Sequence, residues 1–289
     1  GILLRPLPFA RPTELVGFQA VNLAKSIVQP GMSVADFRDL HGRVQALAAL
    51  AAYRPDFATW KRPGEQPVQL TAALVTEDFF TTLGVAPRVG RTLAPADFSM
   101  SAARSAVLSH AAWMRRFAGD PAVVGRTITL NDELCTIVGV MPEAVREPAF
   151  VDVWLPFPAE SPEYFARDSR YWVAIGRLKA GVAAVQARAE AEAIAADLAR
   201  QFPDTNRNWT LRVSPLHELR VAGLRNGLLL LLAATVLLLL VACSNLANLL
   251  LARGLRRIGE MAVRQALGAS AGRLLVQVLL ENAALGLAG

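Results

Sequence analysis

Three histidines and two cysteines are the residues of this chain best suited to nucleophilic or metal chemistry. The histidines, His41, His110 and His217, are far apart, and none forms the His-x-x-x-His pair of a zinc-binding helix. Neither Cys135 nor Cys243 lies at metal-ligand spacing from a histidine, and there is no Gly-x-Ser-x-Gly motif for a serine nucleophile. The sequence therefore predicts a protein that is not an enzyme and that holds no metal or cofactor.

The sequence contains no phosphate-binding loop of the Gly-x-x-x-x-Gly-Lys-[Ser/Thr] type for a nucleotide, because such a loop needs a Gly-Lys pair. None of the three lysines, Lys25, Lys61 and Lys179, follows a glycine. Energy from ATP would therefore have to come from a partner chain. The net charge of +6 comes mainly from scattered arginines without a basic stretch interleaved with aromatic residues, so we expect no nucleic-acid partner.

The most apolar stretch lies between Arg225 and Arg253 and contains no charged residue. About 20 apolar residues are enough for a helix to cross the hydrocarbon core of a bilayer. A buried core helix is the alternative, but such helices are rarely so long or so uniformly apolar. We therefore predict a transmembrane helix over residues 223–253 and a lipid membrane as its surroundings.

Polar side chains occur near the end of this apolar stretch. Ser244, Asn245 and Asn248 lie about one helical turn apart and share a face. An amide facing hydrocarbon is costly unless another helix supplies a hydrogen-bond partner, so these residues predict helix–helix packing. The alternative is a lone anchor whose amides reach the headgroup zone close to Arg253.

Residues 13–222 have the pattern of a domain with mixed helices and strands. Ser33 is placed as an N-cap, and apolar residues recur at helical spacing after it as far as Leu47. A second helix is predicted over residues 182–202, with Pro203 after it.

Strand patterns surround the pair Asn131-Asp132, whose residue types suit a tight hairpin turn. The stretches "DVWLPF" and "YWVAIGRL" are typical of further strands. Strands mixed with two long helices favour an α+β domain over a regular alternation of strand and helix.

The two ends of the sequence indicate a piece of a longer chain. Residues 1–12, "GILLRPLPFARP", have the pattern of a preceding transmembrane helix that ends at the prolines. Residues 254–289 are predicted to comprise a polar coupling segment and, from Ala283, the start of the next transmembrane helix. The arginines from Arg253 to Arg257 favour a cytoplasmic location for that polar segment, and hence an external domain, but arginines before the span nearly balance them.

Several stretches resemble a known family. The segment "ACSNLANLLLARGLRRIGEMAVRQALGAS" is similar to the end of the second transmembrane helix and the cytoplasmic segment of MacB-like and FtsX-like permeases of ABC systems, in particular the duplicated orphan subgroup. The stretches "LLRPLPFARPTELV", "FFTTLGVAPRVGRTL", "LSHAAWMRRFAGDPAVVGRTITLNDELCTIVGVMP" and "VAIGRLKAGVAAVQARAEAEAIA" resemble the periplasmic core domain of these proteins. Asp132 stands where the family commonly has glycine.

The resemblance implies a permease subunit of the inner membrane, with residues 13–222 outside the cytoplasm between a first and a second transmembrane helix. Such permeases carry no reaction chemistry, pair with a separate ABC ATPase and work as two copies, either a homodimer or an internal duplicate. They convert ATP hydrolysis into motion of the extracytoplasmic domain. A membrane-anchored sensor or binding domain without a transport cycle is the alternative.

The residues after the span are expected to contact that ATPase. Residues 258–267 are predicted to form a separate short helix, since Gly268 is placed to end it. Its coupling residues would be Glu260, Met261, Val263, Arg264 and Leu267. A helix lying on lipid headgroups is the alternative, because its arginines would suit anionic lipid.

Overall fold

The computed structural model describes residues 9–145, 147–266 and 276. The chain divides into two compact units, Gly1–Ala222 and Gly223–Gly289. Among the described residues, the first unit contains a mixed sheet, five α-helices, short 3-10 helices and the start of a sixth α-helix, and the rest of that helix lies in the second unit.

The sheet of the first unit has eleven strands. They are Leu15–Asn22 (β1), Ile27–Gln29 (β2), Leu47–Lys61 (β3), Val68–Val75 (β4), Val89–Gly90 (β5), Arg104–Leu108 (β6), Thr127–Leu130 (β7), Glu133–Val140 (β8), Val153–Pro156 (β9), Val173–Leu178 (β10) and Trp209–Pro215 (β11).

The strands follow the order β11-β1-β10-β3-β4-β9-β6-β8-β5, while β2 pairs with β1 and β7 pairs with β3 and β8. Most neighbours are antiparallel, but β4 with β9 and β6 with β8 are parallel. The strand β3 is long enough to pair with β10 near its start and with β7 at its end. It therefore connects β10 to both β4 and β7.

The described residues form six α-helices. They are Val34–Leu40 (α1), Phe79–Leu83 (α2), His110–Phe117 (α3), Ala184–Gln201 (α4), Pro203–Asn206 (α5) and Leu216–Ala266 (α6). Three separate clusters of buried apolar side chains fill the first unit, and the second cluster contains the residues discussed below.

The predicted hairpin is confirmed. β7 and β8 pair antiparallel, with Leu130 opposite Glu133, and Asn131 and Asp132 form the two-residue turn. Their φ angles are 49° and 67°, the left-handed conformation that such turns require and that Asn and Asp tolerate.

The helix after Ser33 is confirmed, but it is shorter than its apolar pattern predicts. The Ser33 hydroxyl accepts a hydrogen bond of 3.1 Å from the backbone N–H of Asp36. The helix ends at Leu40, two residues before Gly42, which has a φ of 79°, and Leu47 belongs to β3. Val44 and Leu47, beyond the end of the helix, are buried in the same core cluster as Phe37 and Leu40. The apolar spacing therefore continues past the helix although the backbone there is not helical.

The helix α4 is confirmed within two residues of its predicted bounds. Its buried residues Ala187, Ala191, Ile194 and Leu198 lie on one face and pack into the first core cluster. An α+β domain followed by a helix that can span a membrane is therefore the observed architecture.

The helix α6 continues through the predicted cytoplasmic break to Ala266. The expectation of a separate helix starting at Ile258 is therefore wrong within the described residues. The stretch contains no proline, and isolated glycines cost only about 1 kcal/mol each in a helix interior. Within α6, the 24 residues Leu229–Ala252 have a mean hydropathy of 2.5 and none of this segment is buried, so it is long and apolar enough to cross a membrane.

Candidate functional site at the helix junction

The two ends of the first unit meet at one place in the sheet. β1 pairs antiparallel with β11, so that Val16, near the start of one strand, lies opposite Pro215, the last residue of the other. α6 begins at the next residue, Leu216, which shares a buried apolar cluster with Phe9 and Leu15. We call this place, the start of β1 and the first turn of α6, the helix junction.

Gly17 allows the first turn of α6 to lie close to β1. A Cβ atom at this position would be 2.5 Å from Leu219 Cδ1 and 3.5 Å from Leu216 Cδ1. Any larger residue would have to displace the leucine side chains, because real Cβ atoms do not approach to 2.5 Å. Strand and helix therefore pack in direct contact.

A buried arginine holds the segment that leads into β1. Arg177 of β10 is only 6% exposed. Its Nε donates to the carbonyl oxygen of Thr82 at 2.9 Å, and its Nη1 donates to Glu14 Oε2 at 3.2 Å and to the carbonyl oxygen of Arg11 at 3.4 Å. A buried charge is tolerated only when it is paired in this way, so Arg177 fixes the position of residues 11–14.

A second buried charge receives the first turn of α6. Glu147, in the connection between β8 and β9, is 4% exposed and forms an ion pair with Arg220 through Oε2. Its other carboxylate oxygen accepts a hydrogen bond of 2.9 Å from the Tyr53 hydroxyl. Its backbone carbonyl accepts one of 3.1 Å from Trp154 Nε1. Glu147 is thus held from β3, from β9 and from α6.

This burial changes the ionisation of both partners of Glu147. Burial raises the pKa of Tyr53 to about 12, and the nearby positive charge of Arg220 opposes that rise in part. Desolvation lowers the pKa of Arg220, and the electrostatic interaction with Tyr53 opposes this decrease. Both shifts result mainly from removing the groups from water.

The residues expected from the sequence to be unreactive lie apart from one another. The exposed His41 has its Nε2 atom 3.3 Å from Oδ2 of Asp78. His110 packs edge-on against the ring of Trp113. Cys135 is buried, and its burial raises its pKa to about 12. Among the described residues no group of three or more His, Cys, Asp or Glu side chains could hold a metal ion.

The structure places Ser244, Asn245 and Asn248 in α6, inside the apolar segment, and all three are exposed. In the described part of the chain their side chains have no hydrogen-bond partner. By contrast, the Thr235 hydroxyl, earlier in the same segment, donates to the carbonyl oxygen of Leu231 at 2.8 Å. Their role in helix–helix packing remains a prediction.

The predicted coupling residues Glu260, Met261, Val263 and Arg264 lie in the last part of α6, whereas Leu267 lies outside the described residues. Their contact with an ATPase also remains a prediction. The sequence did not point to the helix junction as a site. One signal was present, because Arg177 interrupts the otherwise apolar strand "VAIGRL", but nothing in the sequence indicates its partners.

Comparison with known families explains this combination of a sheet domain and an apolar helix. The family described as MacB-like periplasmic core domain matches residues 10–194. The chain belongs to this family. A second family, described as FtsX-like permease C-terminal, matches residues 232–289. The MacB-like chain is therefore a membrane-anchored ABC-transporter-type permease or a related component with an extracytoplasmic domain, and its family membership indicates a non-catalytic subunit.

Solved structures share the fold of the MacB-like domain. The periplasmic region of MacB from Actinobacillus actinomycetemcomitans is 14% identical with a TM-score of 0.55, over 78% of this chain and 99% of that one. The extracellular domain of the noncanonic ABC-type transporter YknZ from Gram-positive bacteria is 15% identical with a TM-score of 0.51, over 68% and 99%. A domain of a Porphyromonas gingivalis protein described as a permease is 15% identical with a TM-score of 0.55, over 72% of this chain and 93% of that one. No curated protein matches the chain.

Proposed function

We propose that this chain is the permease subunit of an ABC-type transporter or mechanotransmission system in the cytoplasmic membrane. It couples ATP hydrolysis by a separate ATPase to motion of residues 13–222, which lie outside that membrane, in the export or efflux of a substrate. The proposal rests mainly on α6, a single helix that contains both the core residue Leu216 and the apolar segment Leu229–Ala252.

A helix of this kind can transmit movement because its hydrogen bonds are internal and it has no proline at which to bend. Its first turn is held in the domain by the packing of Leu216 and by the ion pair of Arg220. A displacement of the helix would therefore act on the core of the domain and not on a flexible linker. A sensor or binding domain on a simple anchor would not need this attachment.

Two partners complete the proposal. A second permease copy, as a homodimer or an internal duplicate, would supply hydrogen-bond partners for Ser244, Asn245 and Asn248. The ABC ATPase would bind the cytoplasmic residues Glu260, Met261, Val263, Arg264 and Leu267. The chain has no Gly-Lys pair for a phosphate-binding loop, which agrees with an ATPase on another chain.

The location of residues 13–222 is tested by labelling a single cysteine from outside the cell. The exposed Met100 is the reporter, as Met100→Cys in a chain whose two native cysteines, Cys135 and Cys243, are replaced by alanine. An impermeant thiol reagent should label Met100→Cys in cells with an intact cytoplasmic membrane. The matched reporter Glu260→Cys should be labelled only after lysis, and the opposite pattern would contradict the proposed orientation.

A further inference from the structure

The ion pair between Arg220 and Glu147 joins the first turn of α6 to a distant part of the sheet domain. Arg220 belongs to α6, while Glu147 belongs to the connection between β8 and β9. The covalent route from α6 leads instead into β11, at the other end of the strand order. The ion pair is therefore a second link that bypasses most of the sheet.

Glu147 is held ready to receive an arginine. The Tyr53 hydroxyl and the Trp154 indole fix its carboxylate and its carbonyl from two different strands. The Glu147 Oε2 atom has no hydrogen-bond partner among the described residues, so its charge is compensated by the ion pair with the Arg220 guanidinium. Removing Arg220 would leave the buried carboxylate of Glu147 uncompensated, whereas removing Glu147 would leave the partly exposed Arg220 without its partner.

The same connection displays an unusual side chain three residues after Glu147. Phe150 is 91% exposed and has a φ of 63°, a conformation that is strained for a bulky residue and persists only when the surroundings impose it. Phe150 borders a groove of about 340 Å³ that is also lined by His110 and Val151. The position of this exposed aromatic ring therefore depends on how the connection is anchored.

We propose that Arg220 and Glu147 form a latch through which displacement of α6 moves the connection between β8 and β9, together with Phe150. A purely static role would be filled as well or better by apolar side chains, since replacing a buried ion pair with well-packed hydrophobic residues is often neutral or stabilising. An ion pair instead gives a directional contact between two particular residues. The inference depends on the proposed function only in requiring that α6 moves.

The latch is tested by hydrogen exchange of the full chain in lipid nanodiscs without any ATPase. Glu147→Gln and Arg220→Met should each speed amide exchange in a peptide covering residues 141–152 roughly tenfold, within the range that loss of a coupled pair produces. Exchange in the first turn of α6 should also rise in Glu147→Gln. The double variant should exchange no faster than either single variant, because the link is already broken in each.

Two controls separate the latch from general effects. Glu218→Gln makes the same charge change at an exposed position in the same turn and should leave residues 141–152 at the wild-type rate. Exchange in α4 should stay unchanged in every variant, which shows that the domain is folded. Arg220→Lys, which keeps the charge but loses the planar fork, should give an intermediate rate and serves if Arg220→Met does not fold.

Wild-type exchange of residues 141–152 in both single variants would overturn the latch, and so would additive effects in the double variant. An equal effect of Glu218→Gln would overturn it as well, because net charge would then explain the change. None of these outcomes depends on an ATPase or on membrane orientation. They would leave the proposed permease function untouched, just as a failure of that function would leave the measured link in place.

Discussion

Buried charged residues define the helix junction at the level of single side chains. Arg177 holds the segment before β1, and Glu147 holds the first turn of α6. Each would be costly to bury alone. Arg177 donates hydrogen bonds to residues distant in the sequence, and Glu147 accepts one from Tyr53 and pairs with Arg220. Arg177 contacts residues 11–14 and Glu147 contacts Arg220, so the two charges hold the two ends of the domain.

Tyr53 predicts how the stability of the domain depends on alkaline pH. Its pKa in the folded chain, about 12, is above the ordinary value of 10.0. The protonated tyrosine is thus favoured by folding, so its contribution is fully present below pH 10 and is lost as the pH rises toward 12. The two pKa units correspond to a total loss of about 3 kcal/mol in the free energy of unfolding, of which about half should have occurred by pH 11.

The measurement is urea unfolding of the full chain in detergent at pH 9, 10 and 11, followed by tryptophan fluorescence. Tyr53→Phe should be less stable at pH 9, because it lacks the hydrogen bond to Glu147, and should lose less stability as the pH rises. Tyr171→Phe, at a position 70% exposed, is the matched control and should behave as the wild type does. An equally steep alkaline loss in Tyr53→Phe would show that another group is responsible.

Residue patterns in the sequence could predict local elements but not these charges. The turn at Asn131-Asp132 and the N-cap at Ser33 are chemical signals contained within a few residues, and both are confirmed. The partners of Glu147 lie in β3 and α6, and no short-range pattern connects them. The parallel pairing of β6 with β8 could not be predicted for the same reason, because parallel strands are joined by a long connection and not by a short turn.

At the level of elements, the contact between β1 and α6 has a steric requirement. Gly17→Val would place a branched side chain where Leu219 and Leu216 now pack. We expect this overpacking to cost about 1–3 kcal/mol in the free energy of unfolding, measured by urea denaturation. Leu219→Ala removes the atom nearest to the new Cβ and should restore part of the loss in the double variant.

The comparison of single and double variants makes this test specific. Leu219→Ala alone should be mildly destabilising, because it loses apolar packing. If Gly17→Val and Leu219→Ala lower stability additively, the two residues do not compete for the same space, and the close approach of β1 and α6 would be contradicted.

The polar face of the apolar segment predicts assembly. Asn245 and Asn248 have exposed amides within a segment suited to the membrane. Replacing both with leucine should weaken self-association of the chain by about 1–2 kcal/mol, measured by energy transfer between labelled copies in lipid vesicles. The double substitution Leu246→Ile and Leu249→Ile, at exposed apolar positions nearby, is the control. Unchanged association of the leucine variant would favour a lone anchor.

At the level of the whole molecule, the chain combines a sheet domain, an apolar segment and a polar extension of the same helix. The apolar run and the domain pattern were sufficient to predict this order from the sequence. The continuity of α6 to Ala266 was not predicted, because the expected break relied on the arginines after the span and on a cap at Gly268. Charges can mark the edge of a membrane, but they do not end a helix that contains no proline and only isolated glycines.

The central claim is that ATP hydrolysis on a partner chain changes the extracytoplasmic domain through α6. It is tested most directly by hydrogen exchange of residues 9–222 in the full permease, reconstituted with its ATPase, with and without ATP. In the wild type, ATP should change exchange at the helix junction. Arg264→Glu should retain ATP hydrolysis but lose that change, whereas the exposed control Arg212→Glu should retain both. Identical exchange with and without ATP, in a wild-type complex that hydrolyses ATP, would contradict the account.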